Sequence, residues 1–122
     1  MNQNKEAAVE FLEMIVIGAI EGAYEKFVDS DGTHHNVHIP AGMDELRKAM
    51  KDADAKFPNM KFEIQHVIAE DEMVAVHSHL RMSDKMDFTV VHLFRFSDGK
   101  IVEFWDIASD LPADNPNTDG AF

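Results

Sequence analysis

A histidine and an aspartate on neighbouring strands are the residues of this sequence best placed to do chemistry. Residues 90–96 and 102–108 each alternate between two faces of a predicted strand, and a tight turn at 97–99 joins them. The alternation predicts that His92 and Asp106 project from the same apolar face of a sheet, where burying either without a partner is costly. A carboxylic acid there can donate a proton to a carbonyl group, and a carboxylate can remove one beside it. The residues predicted on that face are Val90, His92, Phe94 and Phe96 on the first strand and Val102, Phe104, Asp106 and Ala108 on the second.

Structural interpretations of the same two residues stay open. Asp106 could pair with Arg95 or accept a backbone N–H, although alternation places Arg95 on the face opposite His92. His92 could be a core histidine that is bonded to a neighbouring polar group. The functional interpretation assigns proton transfer to Asp106. It lets His92 orient Asp106, contact the substrate or share its proton.

The other histidines add candidate binding groups. His77 and His79 are two residues apart on one predicted strand, so their side chains share a face. A zinc or nickel site built on such a pair is an open alternative, but no metal is expected. His35 and Asn36 are consecutive and point to opposite faces, so only one of them can enter a pocket; Asn36 could instead satisfy backbone groups near Pro40. Further imidazoles are available at His35, His38, His66 and His92.

Apolar spacing indicates the elements that position these groups. A helical stripe begins after Asn4, the predicted N-cap, and Gly18 and Gly22 are expected to bend or divide it. The predicted elements are helices at about 4–29 and 43–56, a turn at 29–32, a short extended segment at 33–39, a β-meander at about 61–109 and an irregular tail at 110–122. Helices followed by strands predict a single α+β domain over 1–122, in which a curved antiparallel sheet wraps the helices as a cone with a pocket.

Composition limits the classes of function. The 122 residues carry a net charge of −12, which argues against binding to nucleic acid or to anionic membrane surfaces. The absence of cysteine excludes disulfide and thiolate chemistry. The longest apolar run, Met14–Ile20, is far shorter than the ~20 residues that span a bilayer. Because no basic region followed by an apolar stretch opens the sequence, a cytoplasmic location is expected.

A family resemblance rests on four passages: 22–28, 35–36 with 39–42, 67–77, and 92–107 with the ending 115–122. In this order they resemble SnoaL-like proteins of the nuclear transport factor 2-like superfamily, and most closely the small bacterial SnoaL-like aldol-condensation enzymes. The resemblance implies the cone-shaped α+β fold shared with polyketide cyclases and ketosteroid isomerase. It also implies an acid/base aspartate on the last strand and a histidine on the strand before it, positions that Asp106 and His92 match. Phe104 departs from the pattern, since many relatives have histidine there.

The predicted outer face of the sheet suggests contact with a second copy of the chain. Trp105 faces away from Asp106 and lies, by alternation, with Ile101, Glu103 and Ile107. The resemblance implies dimers through this face, so a homodimer is expected. Phe122, at the end of the acidic tail, is expected to fold back over the mouth of the cone or over the partner subunit.

Together these observations predict a cofactor-independent acid/base enzyme that acts on a small hydrophobic carbonyl compound. The reaction would be an aldol-type cyclisation, an enolisation or an isomerisation, with Asp106 and His92 as the catalytic pair. No glycine-rich phosphate loop is present, so no nucleotide or other cofactor is expected. The alternative is a non-catalytic module that binds a hydrophobic ligand in the same cone. The predicted substrate-binding residues are His35, Asn36, His77, His79, Phe94 and Phe104.

Overall fold

A computed structural model describes residues 2–122 as three helices packed on one face of a five-stranded sheet. Helix α1 packs on β2 and β3, α2 packs on β1 and β5, and α3 packs on α2 and β1. This arrangement confirms the predicted α+β class. The elements are α1 Gln3–Val16, α2 Ile20–Phe27, β1 Val28–His34, α3 Met43–Lys56, β2 Lys61–Glu70, β3 Met73–Ser83, β4 Met86–Ser97 and β5 Lys100–Asp110.

The first helical unit is divided, as its glycines suggested, but its ends differ from the prediction. The N-cap is Asn2, whose side chain accepts a hydrogen bond from the backbone N–H of Lys5, so the prediction of Asn4 as the cap is wrong. The break lies at Gly18, which has a positive φ of 87° and follows the end of α1. Gly22 lies inside α2 and does not interrupt it. The second helix ends at Phe27, because the chain enters β1 there.

Strand β1 makes the sheet mixed. The sheet order is β1-β5-β4-β3-β2, and β2 to β5 form the predicted antiparallel meander. Residues 29–32, predicted as a turn, belong instead to β1, which pairs parallel with β5. A Cβ atom at Gly32 would lie 2.7 Å from the carbonyl oxygen of Val102, so only glycine allows this close approach of the strands. The predicted extended segment at 33–39 is extended only to His34, and a loop then leads to α3.

A β-bulge near the start of β5 changes which residues face the helices. Phe96 pairs with Ile101 and Arg95 pairs with Glu103, so Val102 is the extra residue on β5. Ile101 is consequently buried in the core, and the prediction that it lies on the outer face is wrong. Val102 was predicted to share the inner face with Phe104 and Asp106, and this prediction is also wrong because Val102 is the extra residue of the bulge. Beyond the bulge the alternation is regular again, which is why Phe104 and Asp106 face inward as predicted.

Aromatic residues fill the space between the helices and the sheet. Phe11 of α1 makes edge contacts with Tyr24, Phe94 and Phe104, with ring centroids 5.6 to 6.2 Å apart. These four side chains are all buried. Within residues 2–122, no helix has both the length and the apolar character needed to cross a bilayer.

Candidate functional site

His92 and Asp106 are directly opposite each other on β4 and β5. The Nε2 atom of His92 lies 3.6 Å from Oδ1 of Asp106, which is just beyond hydrogen-bond distance. The His92 side chain is 10% exposed and that of Asp106 is 22% exposed. The structure therefore brings the two predicted catalytic residues together on the inner face. Their catalytic role stays a prediction.

Asn36 completes the group, although it comes from a different part of the chain. It lies in the loop after β1, and its Nδ2 atom donates a hydrogen bond of 2.9 Å to Oδ2 of Asp106. Its Oδ1 atom accepts a 3.0 Å hydrogen bond from the backbone N–H of His38. Because that acceptor fixes the orientation of the amide, Asn36 can only donate to the carboxylate, and it leaves Oδ1 of Asp106 free for another partner.

His34 anchors this loop, a role that the sequence did not suggest. The backbone N–H of Asn36 donates to Nδ1 of His34 at 3.1 Å, so Nδ1 carries no proton. Nε2 must then carry the proton, and it donates to the carbonyl oxygen of Pro40 at 2.8 Å. His34 is buried, and both of its ring nitrogens are used to hold the loop closed. In the sequence, the only indication of this role was the position of His34 in the predicted extended segment at 33–39.

The electrostatic state of His92 follows from its burial. Burial lowers the pKa of His92 below its ordinary value, and the negative charge of Asp106 opposes this shift only in part. The imidazole is therefore neutral at pH 7. Since Nε2 faces the carboxylate, the single ring proton is best placed on Nε2, which leaves Nδ1 as an acceptor. Nδ1 is buried and has no hydrogen-bond partner among residues 2–122.

Phenylalanine side chains surround the imidazole, as the sequence suggested. Phe104 stacks on His92, with ring centroids 5.4 Å apart and planes 8° apart, and Phe94 lies at 6.4 Å. The ring of Phe62 on β2 lies 6.3 Å from the same imidazole. Phe94 and Phe104 are completely buried, so they form the floor beneath the pair.

Tyr24 is a candidate functional residue that the sequence analysis missed. Its hydroxyl donates to the thioether sulfur of Met50 at 3.1 Å, which is a weak acceptor. Burial raises the pKa of Tyr24 well above its ordinary value, and the negative charge of Asp106 adds to this effect against the charge of Arg47. Tyr24 thus remains a neutral hydrogen-bond donor. The available signal was a hydroxyl group on the core-facing stripe of α2.

The structure places His77 and His79 away from the pair. On β3 the buried residues are Val74, Val76 and Ser78, so the alternating histidines face outward. His77 contacts Nδ1 of His66 at 3.0 Å and Oγ1 of Thr89 at 2.9 Å, while Nε2 of His79 lies 2.5 Å from Oδ1 of Asp87. The assignment of His77 and His79 to the pocket of Asp106 is therefore corrected, because strand alternation directs them to the other face.

His35 also lies on the outer face. Its Nε2 atom donates to Oε2 of Glu103 at 2.7 Å, and its ring stacks on Trp105 with centroids 5.0 Å apart. Hydrogen bonds from His35 and from Arg95 hold the pKa of Glu103 below its ordinary value. Of the two consecutive residues, Asn36 enters the site and His35 does not. His35 is thereby corrected as a candidate ligand contact of the pair.

The tail folds back on the outer face, and not over the helices. The ring of Phe122 lies 4.7 Å from that of His79 and 5.4 Å from that of His77. The prediction that Phe122 folds back over the mouth of the cone is wrong, and its alternative position over a partner subunit stays a prediction.

Neither a metal cluster nor one of the two main grooves lies at the pair. Among residues 2–122, no group of three or more histidine, aspartate or glutamate side chains has the geometry to hold a metal ion. One groove of about 650 Å³ runs along α1 beside Ala69, and a second, of about 450 Å³, lies between the start of β2 and the β3–β4 turn. Neither groove is lined by His92 or Asp106. At the pair, the partly exposed Asp106 lies beside the buried rings of Phe94 and Phe104.

Comparison with solved structures shows that other proteins share this fold. AclR from Streptomyces galilaeus, described provisionally as a hydroxylase, is 21% identical, with a TM-score of 0.76 over 89% of this chain and 90% of its own. A cystatin-fold protein from Novosphingobium aromaticivorans is 19% identical, with a TM-score of 0.74 over 88% and 99%. A SnoaL-like polyketide cyclase from Agrobacterium tumefaciens is 16% identical, with a TM-score of 0.74 over 89% and 93%.

Sequence comparison identifies the family. No protein with a curated description matches the chain significantly. The sequence profile of the SnoaL-like domain matches residues 8–104, a range that contains Tyr24, Asn36, His92 and most of the sheet. Asp106 lies just beyond it on the same strand. This match covers most of the chain, and the protein therefore belongs to the SnoaL-like domain family.

Proposed function

We propose that this protein is a cofactor-independent acid/base enzyme that forms an enolate from a small hydrophobic carbonyl compound. The observation that carries the proposal is the carboxylate of Asp106, which is held by Asn36 on one oxygen and is free on the other. Oδ1 is the atom that takes a proton from the carbon next to the carbonyl group. The electrons of the broken C–H bond form the enolate, whose negative charge lies largely on oxygen.

The neighbouring residues support this step in different ways. The Asn36 amide stabilises the negatively charged form of Asp106 and fixes its direction. His92 stays neutral, so no imidazolium neutralises the carboxylate before it acts as a base. The Tyr24 hydroxyl is a neutral donor whose present partner, a thioether, is weak enough to be exchanged for the enolate oxygen.

The fate of the enolate decides the overall reaction. If the proton on Asp106 is first replaced by one from solvent, its return to the same carbon gives hydrogen exchange, and its delivery to a different carbon gives isomerisation. In an aldol cyclisation the enolate carbon attacks a second carbonyl group of the same molecule, and the resulting alkoxide takes the proton from Asp106. Family membership and relatives described as polyketide cyclases support this carbonyl chemistry.

The substrate would enter along the inner face of β5. Asp106 is partly exposed, and Ala108, two residues further on the same face, is exposed. The aromatic floor formed by Phe94 and Phe104 favours an apolar substrate. His92 and Asp106 would lie at the inner end of this entry path.

A non-catalytic binding module is the second candidate, and the floor formed by Phe94 and Phe104, which suits an apolar ligand whether or not it reacts, supports it. In that case Asp106 and Asn36 would only orient the ligand through hydrogen bonds. The two candidates differ in one respect, because only an enzyme moves a proton of the ligand.

Exchange of carbon-bound hydrogen tests the proposal. The protein is incubated with 4-phenylbutan-2-one in D₂O, and loss of the hydrogens beside the carbonyl is followed by NMR. We expect wild type to accelerate exchange over buffer, and Asp106→Asn to lose about a hundredfold or more of that acceleration. The affinity for the ketone should change by less than about tenfold. A protein that binds the ketone without accelerating exchange is a binding module, and one that does neither contradicts both candidates.

We also propose that two copies of the chain pair through the outer sheet face. Ile68 on β2 and Ile107 on β5 are large apolar residues that remain exposed on this face, and the partly buried Trp105 lies on it two residues from Ile107. Sedimentation equilibrium should give twice the mass of the chain for wild type and a single mass for Ile107→Lys. A monomeric wild type contradicts this arrangement without affecting the proposed chemistry.

A further inference from the structure

Two buried polar atoms on the inner face have no hydrogen-bond partner among residues 2–122. They are Oγ of Ser78 on β3 and Nδ1 of His92 on β4. Ser78 is completely buried, and His92 is 8% exposed. Buried polar groups in native proteins are almost always hydrogen-bonded, since leaving one unpaired is costly. Two such atoms on one face therefore indicate a binding partner that the chain itself does not supply.

The two atoms are close neighbours in the sheet. Val76 pairs with His92 and Ser78 pairs with Val90, so Ser78 and His92 are diagonal neighbours on adjacent strands. Diagonal neighbours have Cα atoms about 7–8 Å apart, so one small group bound between the two side chains is within reach of both. Both side chains point toward the helices, because Val76, Ser78 and His92 all belong to the buried row of the sheet.

The chemistry of the two atoms limits what this group can be. Nδ1 of His92 is an acceptor, because the ring proton lies on Nε2 opposite Asp106, so its partner must be a donor. The Ser78 hydroxyl can donate to the same partner. A hydroxyl group satisfies both, since it gives its proton to Nδ1 and accepts one from Ser78. A carbonyl oxygen or an ether oxygen leaves Nδ1 unpaired.

We propose that Ser78 and Nδ1 of His92 form a subsite for a hydroxyl group of the ligand, so that the substrates are hydroxylated carbonyl compounds. The inference rests on the proposed function, in which Asp106 takes the proton from the carbon beside the carbonyl group. The two ring nitrogens lie on opposite edges of the imidazole. His92 thus lies between the hydroxyl subsite at Nδ1 and the carboxylate of Asp106 opposite Nε2.

A matched pair of ketones tests the subsite. The probes are 4-(3-hydroxyphenyl)butan-2-one and 4-phenylbutan-2-one, which differ only in the hydroxyl group. Dissociation constants and exchange rates are measured for wild type, Ser78→Ala and Ser109→Ala. Ser109 is an exposed serine on β5 and serves as the control. Ser78→Ala should fold normally, because the hydroxyl that it removes has no partner within the described residues 2–122.

We expect wild type and Ser109→Ala to bind the hydroxylated ketone about tenfold or more tightly than the plain ketone. Ser78→Ala should bring the two dissociation constants within about twofold, and Ser78→Thr, which keeps the hydroxyl, should restore part of the preference. Exchange of the plain ketone should be unchanged in Ser109→Ala.

The outcomes separate this inference from the proposed function. If wild type binds and exchanges both ketones equally, a buried water serves the two atoms and the subsite is wrong, while the enolisation chemistry stands. If the preference is present but persists in Ser78→Ala, the hydroxyl is recognised elsewhere and the subsite is again wrong. If neither ketone binds or exchanges, the subsite and the proposed function are both overturned.

Discussion

The sheet carries two histidine–aspartate pairs, and they differ in almost every physical respect. On the outer face His79 and Asp87 are hydrogen-bonded at 2.5 Å, and both side chains are about one-third exposed. On the inner face His92 and Asp106 are 3.6 Å apart, and the imidazole is nearly enclosed. The outer pair is satisfied by its own contact, whereas the inner pair keeps an unpartnered ring nitrogen and a free carboxylate oxygen.

This difference shows why residue type alone does not identify a site. His79 lies in a His-x-His sequence that looks suited to binding, yet the close contact with Asp87 leaves little capacity for a ligand. His92 has no histidine neighbour on its strand, but its environment leaves hydrogen-bonding capacity unused. A buried polar atom without a hydrogen-bond partner is costly to folding, and it is therefore better evidence of function than a close hydrogen-bonded contact.

Apart from substitution of Asp106 itself, the largest effect on ketone exchange is expected from substitution of Asn36, which donates a hydrogen bond to Asp106. Asn36→Ala removes the hydrogen bond to Oδ2 of Asp106, and we expect the exchange rate of the ketone to fall roughly tenfold or more. His38→Ala is the control, because Asn36 bonds only to the backbone of His38. An unchanged rate in Asn36→Ala would show that the amide does not support the carboxylate, and that the inner pair acts without it.

The pH dependence of stability should distinguish the inner imidazole. Burial lowers the pKa of folded His92 below the value of about 6.5 in an unfolded chain. Below about pH 6.5 the unfolded chain therefore binds a proton that the folded chain does not, and the free energy of unfolding falls as the pH falls toward the folded pKa. His92→Phe should make this dependence shallower in urea denaturation at pH 7.5 and pH 5.5. An identical slope in wild type and His92→Phe contradicts the burial of a neutral imidazole.

The outer pair should give the smallest effect. His79→Ala removes a partly exposed contact with Asp87 and part of the surface under Phe122, so the free energy of unfolding should fall by about 1 kcal/mol or less. Ketone exchange should stay at the wild-type rate. A large loss of exchange in His79→Ala would mean that the outer face takes part in the chemistry, which removes the distinction between the two pairs.

Much of this arrangement could be predicted from local patterns. The four antiparallel strands and α3 follow from alternation, helical stripes and polar turns, and they were sufficient to bring His92 and Asp106 together. What could not be predicted depends on contacts between distant segments. The pairing of β1 with β5 is set by the close approach at Gly32, and the inward position of Ile101 is set by a bulge at Val102.

The candidate site likewise combines features that local sequence patterns predict with features that depend on contacts between distant segments. Asn36 was a candidate, but its bond to Asp106 spans seventy positions of the sequence and needed the fold. The roles of His34 and Tyr24 depend on which atoms surround their polar groups, and no spacing rule reports that. The prediction for His77 and His79 was wrong because alternation shows that the two side chains share a face of the sheet, but not whether that face packs against the helices.

A comparison of Asp106→Asn with Asp87→Asn is the sharpest test of proton transfer by Asp106. Each variant removes the charge of one aspartate that faces a histidine, one on the inner face and one on the outer face. With 4-phenylbutan-2-one in D₂O, we expect Asp106→Asn to lose about a hundredfold or more of the protein's exchange activity and Asp87→Asn to keep it. Equal rates in the two variants would contradict proton transfer by Asp106.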